Sequence, residues 1–499
     1  MSLKWAKSTL SVALYALNFA NFAHAQFGRG GGDWMAIGGD AQRTASVRTD
    51  PQISVEKVQA GVMQSLWKLK LNGSPTPPVI ASRLITYKGF KDLLYVGTSG
   101  DNVYSIDHTV GKVFWETHLP YDSLLVPVKN GTATCPAGMT AAVSLAAPLT
   151  PPPPPAPRGT GRGPAGGTLA GPGRGGMAAA PAPTLPRPRK TPGAVYAVSS
   201  DGLIHSLNQH TGADLVPAAR FIRGNAKVHD LISVANIVYA VTSDDCGGAP
   251  NAVWSIALDN NLVSEWKTGE ASVIGLAFAS DGTVFATTTK GIAALDQKTL
   301  KVKAEQTSES ATTPMVFKFK DKEYVAAGNV HGHILVRDPA TLEIVVNVPG
   351  NNTGMGMSLA SWEEPPVDTG GPSVAEAKTE PKHGTRWILA IKGANVVAYR
   401  VVEQDGKIAL EEGWKSREMV SPEPPIVVNG VVFVLSSGLA KMAPAILYAL
   451  DGITGKELWN SGKAIGSYSS TGISAGGNKV YVGTHDGMLY AFGYLLPRE

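Results

Sequence analysis

One phrase recurs along this chain: a β-rich run, a Gly or Asp turn, a second β-rich run, then often Gly-Lys and Trp. Residues 94–115 read LYVGTSGDNVYSIDHTVGKVFW, residues 447–459 LYALDGITGKELW and residues 480–492 VYVGTHDGMLYAF. No helical spacing accompanies the repeat. Each unit is a small β-sheet that cannot bury its own faces, so the copies must stack.

The clearest unit occupies residues 272–305. SVIGLAFAS reads as an apolar inner strand, Asp281-Gly282 as a hairpin turn and TVFATTT as a second strand. Lys290-Gly291 turns again, IAALD is a third strand and KTLKVKAE a more polar fourth. Inner strands packed on both faces are apolar, and an outer strand at the water edge carries charge. Counted by the end of the third strand, units fall near Asp107, Asn208, Leu258, Asp296, Arg337, Arg400, Asp451 and Gly493. This predicts an all-β, eight-bladed β-propeller of four-stranded antiparallel blades, with seven blades as the alternative. The eighth unit lacks an outer strand. Residues 65–71, SLWKLKL, carry the Trp of an outer strand and have no blade of their own, so they are expected to close the ring.

The expected organisation is a signal peptide over residues 1–25, a lead-in segment over 26–64 and the propeller over 65–499. Lys4 and Lys7, an apolar stretch from Leu10 to Phe22 and the small-x-small site Ala23-His24-Ala25 read as an export signal. A periplasmic or secreted protein without an integral membrane span follows. Residues 147–192 hold five consecutive prolines and many Gly-Arg and Pro-Ala steps, and read as a disordered insert within the second unit. Residues 364–384 read as a polar loop. The net charge is +4; without Lys4 and Lys7 it is +2. Arg158, Arg162, Arg174, Arg187, Arg189 and Lys190 of the insert account for the rest, and the folded part is about −4. The basic balance belongs to the signal and the insert, which argues against a nucleic-acid-binding body. Protein partners in the exported compartment and a monomeric ring are expected.

Cys135 and Cys246 are the two cysteines, and an oxidising compartment makes one disulfide the natural expectation. With neither a CxxCH nor a CxxC present, covalent haem is not expected on this chain.

The phrase YVGTSGDNVYSIDHTVGKVFW and its copies resemble the repeat of pyrroloquinoline quinone (PQQ)-type propellers, in the quinoprotein alcohol dehydrogenase-like superfamily. Asp33-Trp34, Gly38-Gly39-Asp40 and Arg43-Thr44, leading to Ile53 and Leu66-Trp67, are similar to the opening of quinoprotein dehydrogenases. The resemblance spans residue 33 to the C-terminus, apart from the two inserts. It implies the propeller fold, and it implies either of two functions. In the dehydrogenases a quinone lies in the central funnel between a Trp and a disulfide of adjacent cysteines. A Ca²⁺ held by Glu, Asn and Asp polarises it, and a further Asp is the base. The same repeat also builds non-catalytic propellers such as an outer-membrane assembly lipoprotein.

Within the repeat, Trp67, Trp115 and Trp459 are expected to cover neighbouring blades. Asp107, Asp296 and Asp451 suit turns in which a carboxylate accepts backbone N–H groups. Gly111 and Gly455 supply positive φ.

Adjacent cysteines are absent, and no motif places the calcium ligands. Residues 74–78, 225–230, 312–315, 351–358, 421–425 and 467–472, ahead of the inner strands, are expected to line the funnel. Lys227, His229 and Asp230 are the charged candidates there; Met355 and Met357 are candidates to line a pocket, with core packing as the simpler role. His331 and His333, two apart, would share a strand face without an evident third metal ligand, so no metal site is assigned. Asn72, Asn130 and Asn351 head N-x-S/T triplets, which matter only in a glycosylating host. No GxSxG elbow, HExxH pair or phosphate loop occurs. The favoured reading is a non-enzymatic binding or scaffold module for protein partners or a small ligand. The alternative is a PQQ- and Ca²⁺-dependent dehydrogenase, or a degenerate relative, oxidising alcohols or sugars.

Overall fold

A computed structural model describes residues 34–48, 50, 52–119, 128–130, 133–136, 138–150, 193–350, 358–365, 384–439, 443–469 and 471–495. The expected signal peptide, most of both inserts, Asn351, Met355 and Met357 lie outside these residues.

The repeats fold into eight antiparallel blades, numbered in chain order, whose second strands are Gly89–Gly97, Ala194–Val198, Ile237–Ser243, Val284–Thr288, Lys322–Gly328, Arg386–Lys392, Val431–Ser436 and Lys479–Gly483. Blade 1 consists of Val79–Thr86, Gly89–Gly97, Asn102–Asp107 and Lys112–His118. Blade 4, the clearest unit in sequence, consists of Val273–Phe278, Val284–Thr288, Gly291–Leu295 and Val302–Thr307. Its second and third strands are wholly buried, and its outer strand is almost wholly exposed. That gradient follows from strands packed on two faces, on one face and at the rim.

Blade 2 departs from the four-strand pattern. Its second and third strands, Ala194–Val198 and Leu203–Asn208, are joined on the inner side through a single bridge, Ser144 to Tyr196. The next residues, Ala146–Ala147, leave the blade and pair in parallel with Ser233 and Val234 of blade 3. The expected inner strand near residues 138–146 is therefore shared between two blades.

Ring closure occurs at blade 8. Gln64–Lys70 pairs antiparallel with Met488–Gly493 and supplies the missing outer strand. Trp67, on this strand, donates its indole N–H to the His108 carbonyl of blade 1 at 2.9 Å. Trp115 of blade 1 does the same to Gln209 of blade 2, and Trp414 of blade 6 to Gly452 of blade 7. In each case the glycine three residues after the acceptor lies under the indole. A Cβ on Gly111, Gly212 or Gly455 would sit 2.4–2.5 Å from ring atoms. These glycines thus supply both positive φ and a flat seat for the indole. Trp459 packs edge-on against Phe492 of blade 8 instead. Asp107, Asp296 and Asp451 accept backbone N–H bonds in the turns before their outer strands.

Residues 34–50 run round the ring along the inner edges of the blades. Ile80 (blade 1), Leu145 (blade 2), Phe278 (blade 4), Val316 (blade 5), Ser361 (blade 6) and Val427 (blade 7) donate backbone N–H bonds in turn. Their acceptors are the carbonyls of Trp34, Met35, Ala41, Gln42, Thr44 and Ala45. Arg43 reaches blade 3 through Asp230, and Asp50 accepts the Asn478 N–H of blade 8. The segment so touches all eight blades. It meets the donors of inner strand edges that would otherwise line an open channel.

Cys135 and Cys246 form a disulfide across a sequence separation of 111. It joins the hairpin Val128–Asn130/Ala133–Cys135, after blade 1, to the short turn Cys246–Gly248 in blade 3.

Candidate functional site

The inner strands start on one face of the disc, and of the sequence candidates Lys227, His229 and Asp230 are described at the start of one of them. The structure separates them. Lys227 turns outward to Asp244, Nζ to Oδ2 at 2.7 Å. His229 is partly exposed, with Nδ1 3.8 Å from Asp230 Oδ1. Asp230 points the other way, into the channel, because a register shift between His229 and Ile232 interrupts the strand.

Asp230 and Arg43 make the central contact. Arg43 Nη2 lies 2.6 Å from Asp230 Oδ1, and each side chain is only 4% exposed. Asp230 Oδ2 accepts the Leu276 N–H of blade 4 at 3.0 Å. One carboxylate thereby joins the lead-in segment, blade 3 and blade 4. Burial alone would push its pKa up. The Arg43 guanidinium, aided by His229 and the Leu276 N–H, outweighs burial and holds it below the ordinary 3.8. Nearby, Asp40 folds back on Thr44, accepting from its backbone N–H at 2.9 Å and from its hydroxyl. Burial nonetheless leaves the Asp40 carboxyl raised.

Glu423 is the unusual acid at the funnel mouth. It precedes the inner strand of blade 7, and its carboxylate faces Gly472 of blade 8, where an added Cβ would lie 3.8 Å from Oε2. Burial pushes its carboxyl up to about 7, only partly opposed by the Gly472 N–H. No charged neighbour contributes to that shift. Around the mouth, Tyr468 stacks on His485 with centroids 4.9 Å apart, and Thr313 bonds Ser358 across blades 5 and 6 at 2.7 Å. Thr313, Ser358, Glu423 and Tyr468 all stand just ahead of the inner strands of blades 5 to 8, and burial raises the Glu423 carboxyl.

Two other groupings have structural roles only. His331 and His333 do not share a strand face: they sit in the turn before Ile334–Arg337, where both backbone N–H groups bond Asn329 Oδ1. A carboxamide that captures two N–H groups favours a turn over an extended strand. In blade 2, Ser199 Oγ lies 3.1 Å from His205 Nε2, and His205 Nδ1 3.1 Å from Asp214 Oδ2. The order resembles a nucleophile relay, but Ser199 is buried and its hydroxyl is already bonded to Asp201. These bonds tie the blade's strands together.

Among the described residues, no group of three or more His, Cys, Asp or Glu gathers as a metal cluster. Asp230 is engaged by Arg43, and Glu423 has no second acid in its surroundings. The described residues thus do not present the paired carboxylates that a funnel Ca²⁺ requires, and this donor set does not fit the ion.

No family model matches the chain, and no curated protein matches it. Solved structures do. A quinohemoprotein alcohol dehydrogenase from Comamonas testosteroni matches with a TM-score of 0.58 at 13% identity, covering 96% of this chain and 83% of that one. A europium-containing methanol dehydrogenase matches with a TM-score of 0.55 at 13% identity, covering 93% and 98%. The computationally designed protein Ika8 matches with a TM-score of 0.52 at 12% identity, covering 87% and 100%. The likeness is one of fold. It joins dehydrogenases and a designed protein alike, so function rests on the site and not on the fold.

Two site residues escape sequence reasoning. Arg43 stands in the lead-in motif, but its partner is 187 residues away. Glu423 is the sole acid in residues 421–425, and the Gly472 turn of blade 8 that its carboxylate faces is distant in sequence.

Proposed function

We propose that this chain is an exported, non-enzymatic propeller that works as a binding module, presenting a rigid disc to protein partners or a small ligand. The observation that carries this reading is the channel side of the ring, where the chain's own lead-in segment is bonded along the inner strand edges and no paired carboxylates gather among the described residues. Arg43 neutralises the buried Asp230, and the inner strand edges are bonded by residues 34–50. A ring laced together in this way is stiff at its core and variable at its loops, which suits recognition on the surface. The disulfide fits an oxidising compartment.

The test is titration of the purified full chain with PQQ, with and without Ca²⁺, read by tryptophan quenching. Reduction of a dye with simple alcohols and sugars is followed in parallel. The expected result is neither saturable quenching nor turnover. Saturable, Ca²⁺-dependent binding with dye reduction overturns the reading and makes the chain a quinoprotein dehydrogenase.

A further inference from the structure

We propose that the exposed hairpin end of blade 1 docks on an anionic lipid surface. This goes beyond the binding-module reading and does not depend on it. The hairpin between the first two strands of blade 1 carries three apolar side chains into solvent: Ile85 is 51%, Tyr87 70% and Phe90 76% exposed. Ile85 and Phe90 are cross-strand partners, so they lie on the same side of the hairpin. Val110 and Val113 of the same blade are also exposed. Five large exposed apolar residues on one blade form a patch, whereas single ones scattered on a surface need no explanation.

The shape and charge of the patch select its occupant. Gly89, at the turn, has nothing within 4 Å of where its Cβ would be, so the hairpin tip stands clear of the body. A convex tip of this kind enters a soft surface more readily than it accepts a protein ridge. Lys88 Nζ lies 5.2 Å from the Tyr87 ring centre and 4.9 Å from that of Phe114. An aromatic ring with a cation beside it is the composition of a bilayer interface, where the ring sits among the headgroups and the cation meets lipid phosphate. Arg83 and Lys112 add exposed positive charge. The nearby acids are already engaged, Asp107 with Lys91 and Asp92 with His108.

The experiment is co-sedimentation of the full chain with vesicles of phosphatidylcholine alone or mixed with phosphatidylglycerol. The wild type is expected to sediment with the mixed vesicles at low salt and to be released by high salt. The double variant Tyr87→Ser/Phe90→Ser should lose about tenfold or more in bound fraction. Lys88→Glu should weaken binding by a smaller factor, and Ile344→Ser, exposed on blade 5, should bind as wild type. Circular dichroism and melting confirm folding of each variant. If the double variant fails to fold, Lys88→Glu and the salt series decide. Equal sedimentation with both vesicle types, or none with either, overturns the proposal. Self-association of the wild type that the double variant abolishes, without vesicle binding, also overturns it and gives the hairpin to a second copy.

Discussion

Arg43 Nη2 and Asp230 Oδ1 meet at 2.6 Å where the lead-in segment crosses blade 3, with both side chains buried. Breaking a buried pair leaves one uncompensated charge, which costs about 3–5 kcal/mol. Arg43→Met and Asp230→Leu are each expected to lower the urea midpoint strongly. The double variant should cost less than the two singles together, because it strands no charge. Since Asp230 titrates below its ordinary value, its contribution is complete above pH 3.8 and is lost as pH falls through the folded value. Asp230→Asn should flatten that acid limb of the stability curve.

Glu423 has the opposite sign. Its folded pKa of about 7 lies above the ordinary 4.5. The folded state therefore binds the extra proton between these values, and stability falls as pH rises from 4.5 to 7. Ionised Glu423 is a cost of about 1–3 kcal/mol, reduced by its partial exposure. Glu423→Gln should raise the melting temperature at pH 8 by about 1–3 °C and leave it nearly unchanged at pH 4.5. A melting temperature at pH 8 equal to the wild type's would contradict a buried acid at the mouth.

Gly111→Ala places a methyl group 2.4 Å from the Trp67 indole and forces a positive φ on a residue with a Cβ. A loss of about 2–4 kcal/mol is expected, with a shift in tryptophan emission as the indole is displaced. Gly269→Ala, also at positive φ but with open space around it, should cost only the backbone penalty of about 1 kcal/mol. Comparison of the two separates the indole seat from the turn.

Reduction of Cys135–Cys246 releases a loop with a sequence separation of 111. The chain-entropy account gives about 4–5 kcal/mol for such a closure, an upper bound in practice. Dithiothreitol, or Cys135→Ser with Cys246→Ser, should lower the denaturation midpoint without changing the β-sheet circular dichroism. The wild type with and without reductant is the direct comparison.

The blades are legible in sequence because their signals are local. Asp107, Asp296 and Asp451 each cap a turn with backbone bonds a few residues away, and the glycine four residues after Asp107 and Asp451 fits only a flat, left-handed position. Closure by residues 65–71 follows from counting strands and needs no contact map. The site is harder to read. Asp230 looks like one member of a charged triplet with Lys227 and His229, yet a bulge turns it inward to an arginine that sequence proximity cannot suggest. Trp459 packs on Phe492 of the neighbouring blade 8, whereas Trp414, which the repeat pattern does not single out, seats its indole on the Gly452–Gly455 turn of blade 7. His331 and His333 mislead because their spacing imitates a strand, whereas Asn329 just before them makes a turn.

The pairing of Gln64–Lys70 with Met488–Gly493 also has a meaning in time. A strand made early must wait for one made after seven blades have emerged, and the lead-in segment finds its eight partners only as the blades appear. During synthesis the first folded blades therefore leave the lead-in segment partly unbonded and carry an open edge. A ribosome stalled before blade 8 is expected to hold a sticky, protease-sensitive arc, which locks only when the last blade arrives. The ring in this way acts as its own checkpoint, since no partial arc can pass for a closed one.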